Sequence, residues 1–401
     1  MKRITIVLGL MMMAFLANAK DNLPQVFSLD AKALQSNKVK VQNKDPYIMP
    51  AYKSLLKEAD KFLSFGPVSV MEKKNNPPSG DRHDYMSLAP YYWPDPAKAD
   101  GLPYIRKDGQ TNPEVKDYKD KEYLPKLCEA VNTLGLAYYF SGNEAYAAHA
   151  AKLLEVWFLD SATKMNPNLN YGQAMKGHNE GRGAGMIDTR HFVILIDGIG
   201  LINGSKKWTA VDQKGMQDWF AQFLVWMQTS KNGVDELNAK NNHGVWYDAQ
   251  RMSMALFTGD KALAEKIVLN AEKRLDSQMD STGLLPLELE RTIALHYSTF
   301  AMDAFFILAK MGEQVNMNLW DYKSPSGKSL QKGFDALKPY YAGEKQWTGM
   351  QIKPFEFEEA YPLLAASYKK YNCKDCIEAV RHIAQDQLPK LRLKLLTDVE
   401  L

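Results

Sequence analysis

Asn241, Asn242 and His243 stand together in the stretch AKNNHGVWYDAQR, residues 239–251, inside sequence that otherwise has helical patterning. Polar groups of this kind cost free energy to bury without partners, so they are either paired for structure or line a cavity that handles something polar. Two more clusters carry similar groups. Residues 177–192, GHNEGRGAGMIDTRHF, hold Arg182, Arg190 and His191 among glycines that let backbone approach a ligand. Residues 285–300, LPLELERTIALHYSTF, hold Glu288, Glu290, Arg291, His296 and Tyr297, and from Arg291 onward the pattern reads as a helix.

These residue types fit β-elimination on a uronic acid polymer. That reaction removes the proton on carbon 5, next to a carboxylate, and expels the oxygen on carbon 4. The site must neutralise the carboxylate and hold a developing enolate, which Asn and Arg donors or a cationic His can do. A base takes the proton and an acid protonates the leaving oxygen. Where both lie on one face of the sugar, a single Tyr can do both jobs; on opposite faces, His and Tyr can divide them. A Tyr acting as base needs a lowered pKa, which an adjacent Arg or His⁺ would supply. Other chemistries lack their motifs: the chain has no Gly-x-Ser-x-Gly elbow, no His-Glu-x-x-His and no Gly-rich phosphate loop.

The elements that must position these groups read as helices. Apolar residues recur at three- and four-residue steps over 46–64, 123–140, 143–159, 209–230, 260–278, 291–312 and 355–371. Phe140-Ser-Gly-Asn-Glu-Ala-Tyr-Ala147 echoes Phe257-Thr-Gly-Asp-Lys-Ala-Leu-Ala264: an aromatic helix end, a Gly corner, then an Asn or Asp opening the next helix. Stacked hairpins of this kind form either an open repeat scaffold of tetratricopeptide type or, if the array curls round, an α/α toroid whose inner helix ends make a cleft. Irregular hairpin spacing favours the toroid. Between them, residues 72–118 are rich in Pro, Gly, Asp and Tyr, as expected of a functional loop. Its Tyr85, Tyr91, Tyr92, Trp93 and Tyr104 offer faces and hydroxyls to a sugar, or pack the loop onto the helices.

The chain opens with Lys2 and Arg3, an apolar run from Ile4 to Leu16 and Ala17-Asn18-Ala19, the layout of a secretory signal peptide over residues 1–19. The run is too short to span a bilayer. A periplasmic or secreted protein is therefore expected, with one toroid domain over 20–401. The formal net charge is +3, of which Lys2 and Arg3 supply two units, so generic nucleic-acid binding is not indicated. Cys373 and Cys376 have redox-motif spacing, but at a helix–helix corner, where an oxidising compartment allows a disulfide.

NNHGVWYD, ELERTIALHYSTF and the loop HDYMSLAPYYWPDP…GLPYIRKDGQTNPE together resemble the alginate lyase superfamily of polysaccharide lyases, from about Tyr85 to about Tyr361. The resemblance implies an α/α toroid and metal-independent, cofactor-free elimination on an acidic polysaccharide, alginate or in some branches glucuronan. Carried over, Asn242 matches the carboxylate neutraliser, His243 the adjacent histidine, Tyr297 the tyrosine acid and base, and Arg291 the arginine that supports it and shares the neutralisation. The family pattern has one more residue between Arg and Tyr. Six steps put two side chains about 120° apart on a helix, so Arg291 stands before the regular helix or approaches from another angle. Alternatively, Arg291 pairs with Glu288. Tyr85, Trp93, Arg190, His191 and Trp246 are the expected cleft lining, with Glu236 able to orient His243. A toroid glycoside hydrolase recruiting Asp188, Glu288 or Glu290, or a non-catalytic glycan-binding protein, are the competing readings.

Overall fold

The computed structural model describes residues 23–401; the leader expected over 1–19 lies outside them. In chain order the helices are α1 (Ala31–Gln42), α2 (Met49–Phe62), α3 (Lys119–Ser141), α4 (Glu144–Leu154), α5 (Phe192–Ile202), α6 (Ala210–Thr229), α7 (Lys231–Leu237), α8 (Asn242–Thr258), α9 (Lys261–Gln278), α10 (Pro286–Leu289), α11 (Ala294–Gly312), α12 (Leu330–Tyr341), α13 (Tyr361–Tyr371), α14 (Lys374–Ala384) and α15 (Leu393–Leu396). Strands are few and short: β1 (Met86–Leu88) pairs in parallel with β4 (Tyr171–Ala174), and β2 (Tyr92–Trp93) antiparallel with β3 (Ile105–Arg106). No helix among the described residues is long and apolar enough to cross a membrane.

Two kinds of helix alternate. α5 (FVILIDGIGLI) and α8 are buried on nearly every side, while α9 buries one stripe and exposes the rest. The buried kind forms an inner series, α3, α5, α8, α11 and α13, each packed on the next. α4 packs on α3, α6 and α9 on α8, α12 on α11, and α14 on α13, so every inner helix is followed by an outer return. This is an α/α toroid, and it is incomplete: α1 packs on α3 and α15, and α2 on α3 and the turn Gln385–Lys390, in place of a further hairpin. Edge-to-face aromatics seal the layers, with Phe158 at 4.8 Å from Trp219 and Phe192 at 5.3 Å from Phe220.

The echoed corners do what their sequence predicts. Gly142 (φ 70°) and Gly259 (φ 85°) close α3 and α8 in the left-handed conformation, and Asn143 and Asp260 accept from the first amides of α4 and α9. Three helix ends differ from expectation. The stretch 143–159 leaves the α conformation after Leu154 for a π turn, Glu155–Leu159. The stretch 355–371 is regular only from Tyr361, and 291–312 only from Ala294. Cys373 and Cys376 are joined as a disulfide at the start of α14, with Cα atoms 5.4 Å apart.

Because an outer return separates successive inner helices, these run in the same sense and bring their N-terminal ends to one side. That side carries Lys121 of α3, Arg190 and His191 before α5, Asn242 and His243 of α8, and Tyr297 of α11. α8 is anchored there by its neighbour. Arg274 of α9 donates to Asp248 (2.6 Å) and to the carbonyls of Ala239 (2.7 Å) and Leu237 (2.6 Å). Gly244 makes room for it: a Cβ there would lie 2.1 Å from the Ala239 oxygen and 2.3 Å from Arg274 Nη1. Gly244→Ala is therefore expected to lower stability by about 1–3 kcal/mol, measured by urea denaturation, while Gly259→Asn, at an open left-handed position, costs far less.

Candidate active site

Asn242 is the first residue of α8 and is almost fully buried. Its backbone N–H donates to Glu288 Oε1 (2.5 Å) and its Nδ2 to Glu288 Oε2 (2.7 Å), which fixes the amide and leaves its second N–H and its Oδ1 for a ligand. Burial pushes the Glu288 carboxyl above its ordinary range, although the bonds from Asn242 oppose this. His243 contacts Glu236 Oε1 through Nδ1 at 2.7 Å. A carboxylate accepts there, so Nδ1 carries a proton and Nε2 is the ring nitrogen left to face a ligand. Glu236 is 4% exposed, whereas the His243 side chain is 22% exposed and so can meet a substrate.

Arg291 lies three residues before α11. Its Nε and Nη2 fork onto Asp108 of the long loop at 3.1 and 2.8 Å, and its guanidinium centre sits 3.6 Å from the Tyr297 ring centroid. Burial raises the Asp108 carboxyl, but bonds from Arg291 and Arg106 outweigh it and hold the group well below the usual carboxylate range. The Tyr297 hydroxyl is 2.9 Å from that of Tyr91, also from the loop. Burial, then the neighbouring Tyr91, push the Tyr297 phenol far above its ordinary value, and the opposing pull of Arg291 is smaller. Tyr297 therefore holds its proton, the reverse of the lowered pKa expected from an adjacent Arg.

The two halves meet through Glu288, whose carboxylate lies within electrostatic reach of both Arg291 and His243. Arg190 lies within reach of Tyr297. Its guanidinium centre sits 5.6 Å from the Phe300 ring centroid and its Nη1 donates to the Ile187 carbonyl at 3.1 Å. Burial, then the charges of Arg190 and Lys121, lower His191 to about 3, so its imidazole is neutral.

The structure corrects several sequence expectations. Arg291 does not pair with Glu288; it is spent on Asp108, so its charge supports Tyr297 and is not free to neutralise a substrate carboxylate. Tyr85 is fully buried, donating to Asp188 Oδ2 at 3.1 Å, and does not line a cleft. Trp246, 6% exposed, stacks on Phe300 at 4.9 Å and donates to its carbonyl at 3.1 Å, so it too belongs to the packed floor. Trp93 is half-buried beside the loop strand, bonded to the Gln110 carbonyl at 2.9 Å with Lys107 over its ring. His296 bonds Glu359 at 2.7 Å, stacks on Phe300 at 6.0 Å and meets the Tyr297 ring edge-on at 5.3 Å.

A sequence model of the alginate lyase family matches residues 69–347. The chain belongs to the alginate lyase family. A crystal structure of an alginate lyase from Bacteroides ovatus is 42% identical, with TM-score 0.89 over 94% of this chain and 100% of that one. Alginate lyase A1-III from Sphingomonas species A1 is 17% identical with TM-score 0.50 over 89% of this chain and 97% of its own. A variant of A1-III complexed with a tetrasaccharide is 16% identical with TM-score 0.51, covering 83% of this chain and 90% of that one. At these identities A1-III supports the fold alone. Among curated proteins none matches the sequence.

As an alginate lyase family member the protein is a polysaccharide lyase. The carboxylates a hydrolase would recruit are placed accordingly. Glu288 is committed to Asn242. Asp188 is buried under Tyr85, Ser87, Gln173 and Lys121, and Glu290 faces solvent. What the sequence did not mark is Asp108 in the long loop; Tyr91, named there as a sugar contact or packing residue, is the hydroxyl partner of Tyr297. The signal available was Asp108 before a Gly in RKDG, a turn that presents a carboxylate. Asp108→Asn and Glu236→Gln each loosen a group that another residue must hold in place. Both are expected to lower kcat by about a hundredfold with little change in KM, whereas Glu290→Gln leaves turnover unchanged in the same assay.

Proposed function

We propose that this lyase cleaves alginate by β-elimination, with Asn242, His243 and Tyr297 acting on the substrate and no metal required. The observation that carries the reading is an imidazole nitrogen and a protonated phenol presented to one site. Glu236 holds Nδ1 of His243, which leaves Nε2 as the ring atom that can meet a substrate, and Tyr297 presents a proton because burial keeps the phenol neutral. A base and an acid are what elimination needs. Asn242 offers its remaining N–H to the carboxylate next to the proton removed, helped by the N-terminal dipole of α8. Arg190 supplies positive charge that Arg291 cannot.

On guluronate, where proton and leaving oxygen lie on opposite faces, His243 takes the proton and Tyr297 protonates the oxygen. On mannuronate, and on glucuronan, both lie on one face. Tyr297 then has to serve as both base and acid: it loses its own proton to solvent, takes the carbon-5 proton as a phenolate to which the Tyr91 hydroxyl, 2.9 Å away, donates, and returns that proton to the leaving oxygen. Export to an oxidising compartment is part of the proposal, supported by the Cys373–Cys376 disulfide.

Purified protein incubated with poly-mannuronate, poly-guluronate and glucuronan tests this by the ultraviolet absorbance of the unsaturated uronate, which hydrolysis does not produce. Growth of that band on alginate is expected, and binding without turnover on every polymer overturns the proposal. Tyr297→Phe removes the acid and is expected to cut turnover by about 10²–10⁴-fold on all substrates, with an unchanged fold by circular dichroism. His243→Gln is expected to fall as far on poly-guluronate and much less on poly-mannuronate; equal losses would remove the division of labour.

A further inference from the structure

Arg182 has no role in the chemistry above, and its surroundings do not account for it. It precedes the 3-10 stretch Gly183–Thr189 and is half-buried. Its Nη2 donates to Gln173 Oε1 at 2.9 Å, its guanidinium centre sits 5.3 Å from the Tyr92 ring centroid, and its Nε is buried with no hydrogen-bond partner. Among the described residues no carboxylate forms an ion pair with it. Glu236, the partner of His243, is the acid within electrostatic reach.

A guanidinium drawn from water for one neutral hydrogen bond and an aromatic face is poorly compensated as a stability device. Yet its placement is enforced. Gln173 adopts φ 50°, a left-handed conformation uncommon for a side chain of this kind, and its Nε2 is held by Asp188 at 3.1 Å so that Oε1 faces Arg182. Backbone strain and a buried carboxylate are thus spent on aiming a cation that lacks an anion. Arg190 is in the same condition on the other side: it has a carbonyl and an aromatic ring but no carboxylate. Arg182 stands on the His243 side of the site, because Gly183 beside it packs against the backbone of Glu236, and Arg190 on the Tyr297 side, with its guanidinium by Phe300 of α11.

A polyuronate carries one carboxylate on every ring, so a bound chain brings anions to both sides of the bond being cut. We propose that Arg182 binds the carboxylate of a uronate neighbouring the cleaved bond, on the His243 side of the site. This deepens the function proposed above and rests on it. Among the described residues Nη1 and the second N–H of Nη2 carry no bond, and together they match a carboxylate end-on in two-pronged geometry while Nε stays buried behind them. With Arg190 opposite, the site selects a run of charged sugars over one whose neighbouring rings are neutral.

The test compares wild type, Arg182→Gln and Arg182→Lys on mannuronate tetramers, with KM, kcat and the pH profile read separately. Arg182→Gln is expected to raise KM about tenfold or more and to leave kcat within about threefold, with the pH profile unmoved. Arg182→Lys should fall between, because the charge stays and the fork is lost. Binding of the tetramer to Tyr297→Phe protein, with and without Arg182→Gln, reads the same loss without turnover. Unchanged KM and unchanged binding overturn the proposal. So does a fall in kcat at constant KM with a displaced pH profile, which would make Arg182 a tuner of the Glu236–His243 pair. If Arg182→Gln does not fold, wild-type KM and binding in Arg182→Lys overturn it alone. A wild type that forms no unsaturated uronate sinks the lyase mechanism instead, while the binding comparison still decides Arg182.

Discussion

A buried polar group must find a partner or forfeit its lost hydration, and at the N-terminal ends of the inner helices that partner is a carboxylate. Glu288 takes both the backbone and the side chain of Asn242, Glu236 takes Nδ1 of His243, and Asp108 takes the fork of Arg291. Asp188 collects Tyr85, Ser87, Gln173 and Lys121. Each acid removes the freedom of a neighbour: Glu288 and Glu236 fix Asn242 and His243 directly, while Asp108 and Asp188 fix the Arg291 and Tyr85 that pack behind the site, so little ordering is left to the moment a ligand arrives.

The toroid makes this arrangement possible by geometry. Outer returns let the inner helices run in one sense, and their N-termini then converge with unsatisfied N–H groups and positive dipole ends on one side. Such an end suits an anionic polymer. The same end repels a second cation, which is one reason that His191, beside Arg190 and Lys121, stays neutral down to about 3. Acids placed under the cleft floor are therefore doubly favoured: they satisfy the buried donors and they offset the charge that gathers there.

The helices were legible because a face that packs on a neighbour writes a period into the sequence, and the corner residues mark where each period stops. α1, α5 and α12 were not read; for α5 the reason is that FVILIDGIGLI is apolar on all sides and carries no period. At the site, residue type marked three polar clusters as candidates, and the resemblance to a family singled out Asn242, His243 and Tyr297 among them. Type could not separate cleft from core for aromatics: Tyr85 and Trp246 bury their rings and satisfy their single polar atom internally. Nor could it show partners brought from far along the chain. Asp108 meets Arg291 across 183 positions and Tyr91 meets Tyr297 across 206.

The spacing of Arg291 and Tyr297 shows how such distant partners set chemistry. Six residues of continuous helix would turn the two side chains about 120° apart. The chain avoids this by staying extended: Ile293 has φ −130° and ψ 64°, the Ala294 amide bonds the Met350 carbonyl at 2.9 Å, and the Ile352 amide bonds the Thr292 carbonyl at 2.8 Å. A strand-like piece from residues 350–352 thus holds Arg291 out of the helix and lets it fold back over Tyr297. The guanidinium comes down on the face of the ring, not beside the hydroxyl. From there it steadies the ring by cation–π attraction but lowers the phenol's pKa less than burial raises it. Asp108 draws off much of its charge as well. Burial and the Tyr91 hydroxyl therefore set the protonation of Tyr297, and the register that first looks like a defect places the Arg291 charge where it opposes them without reversing them.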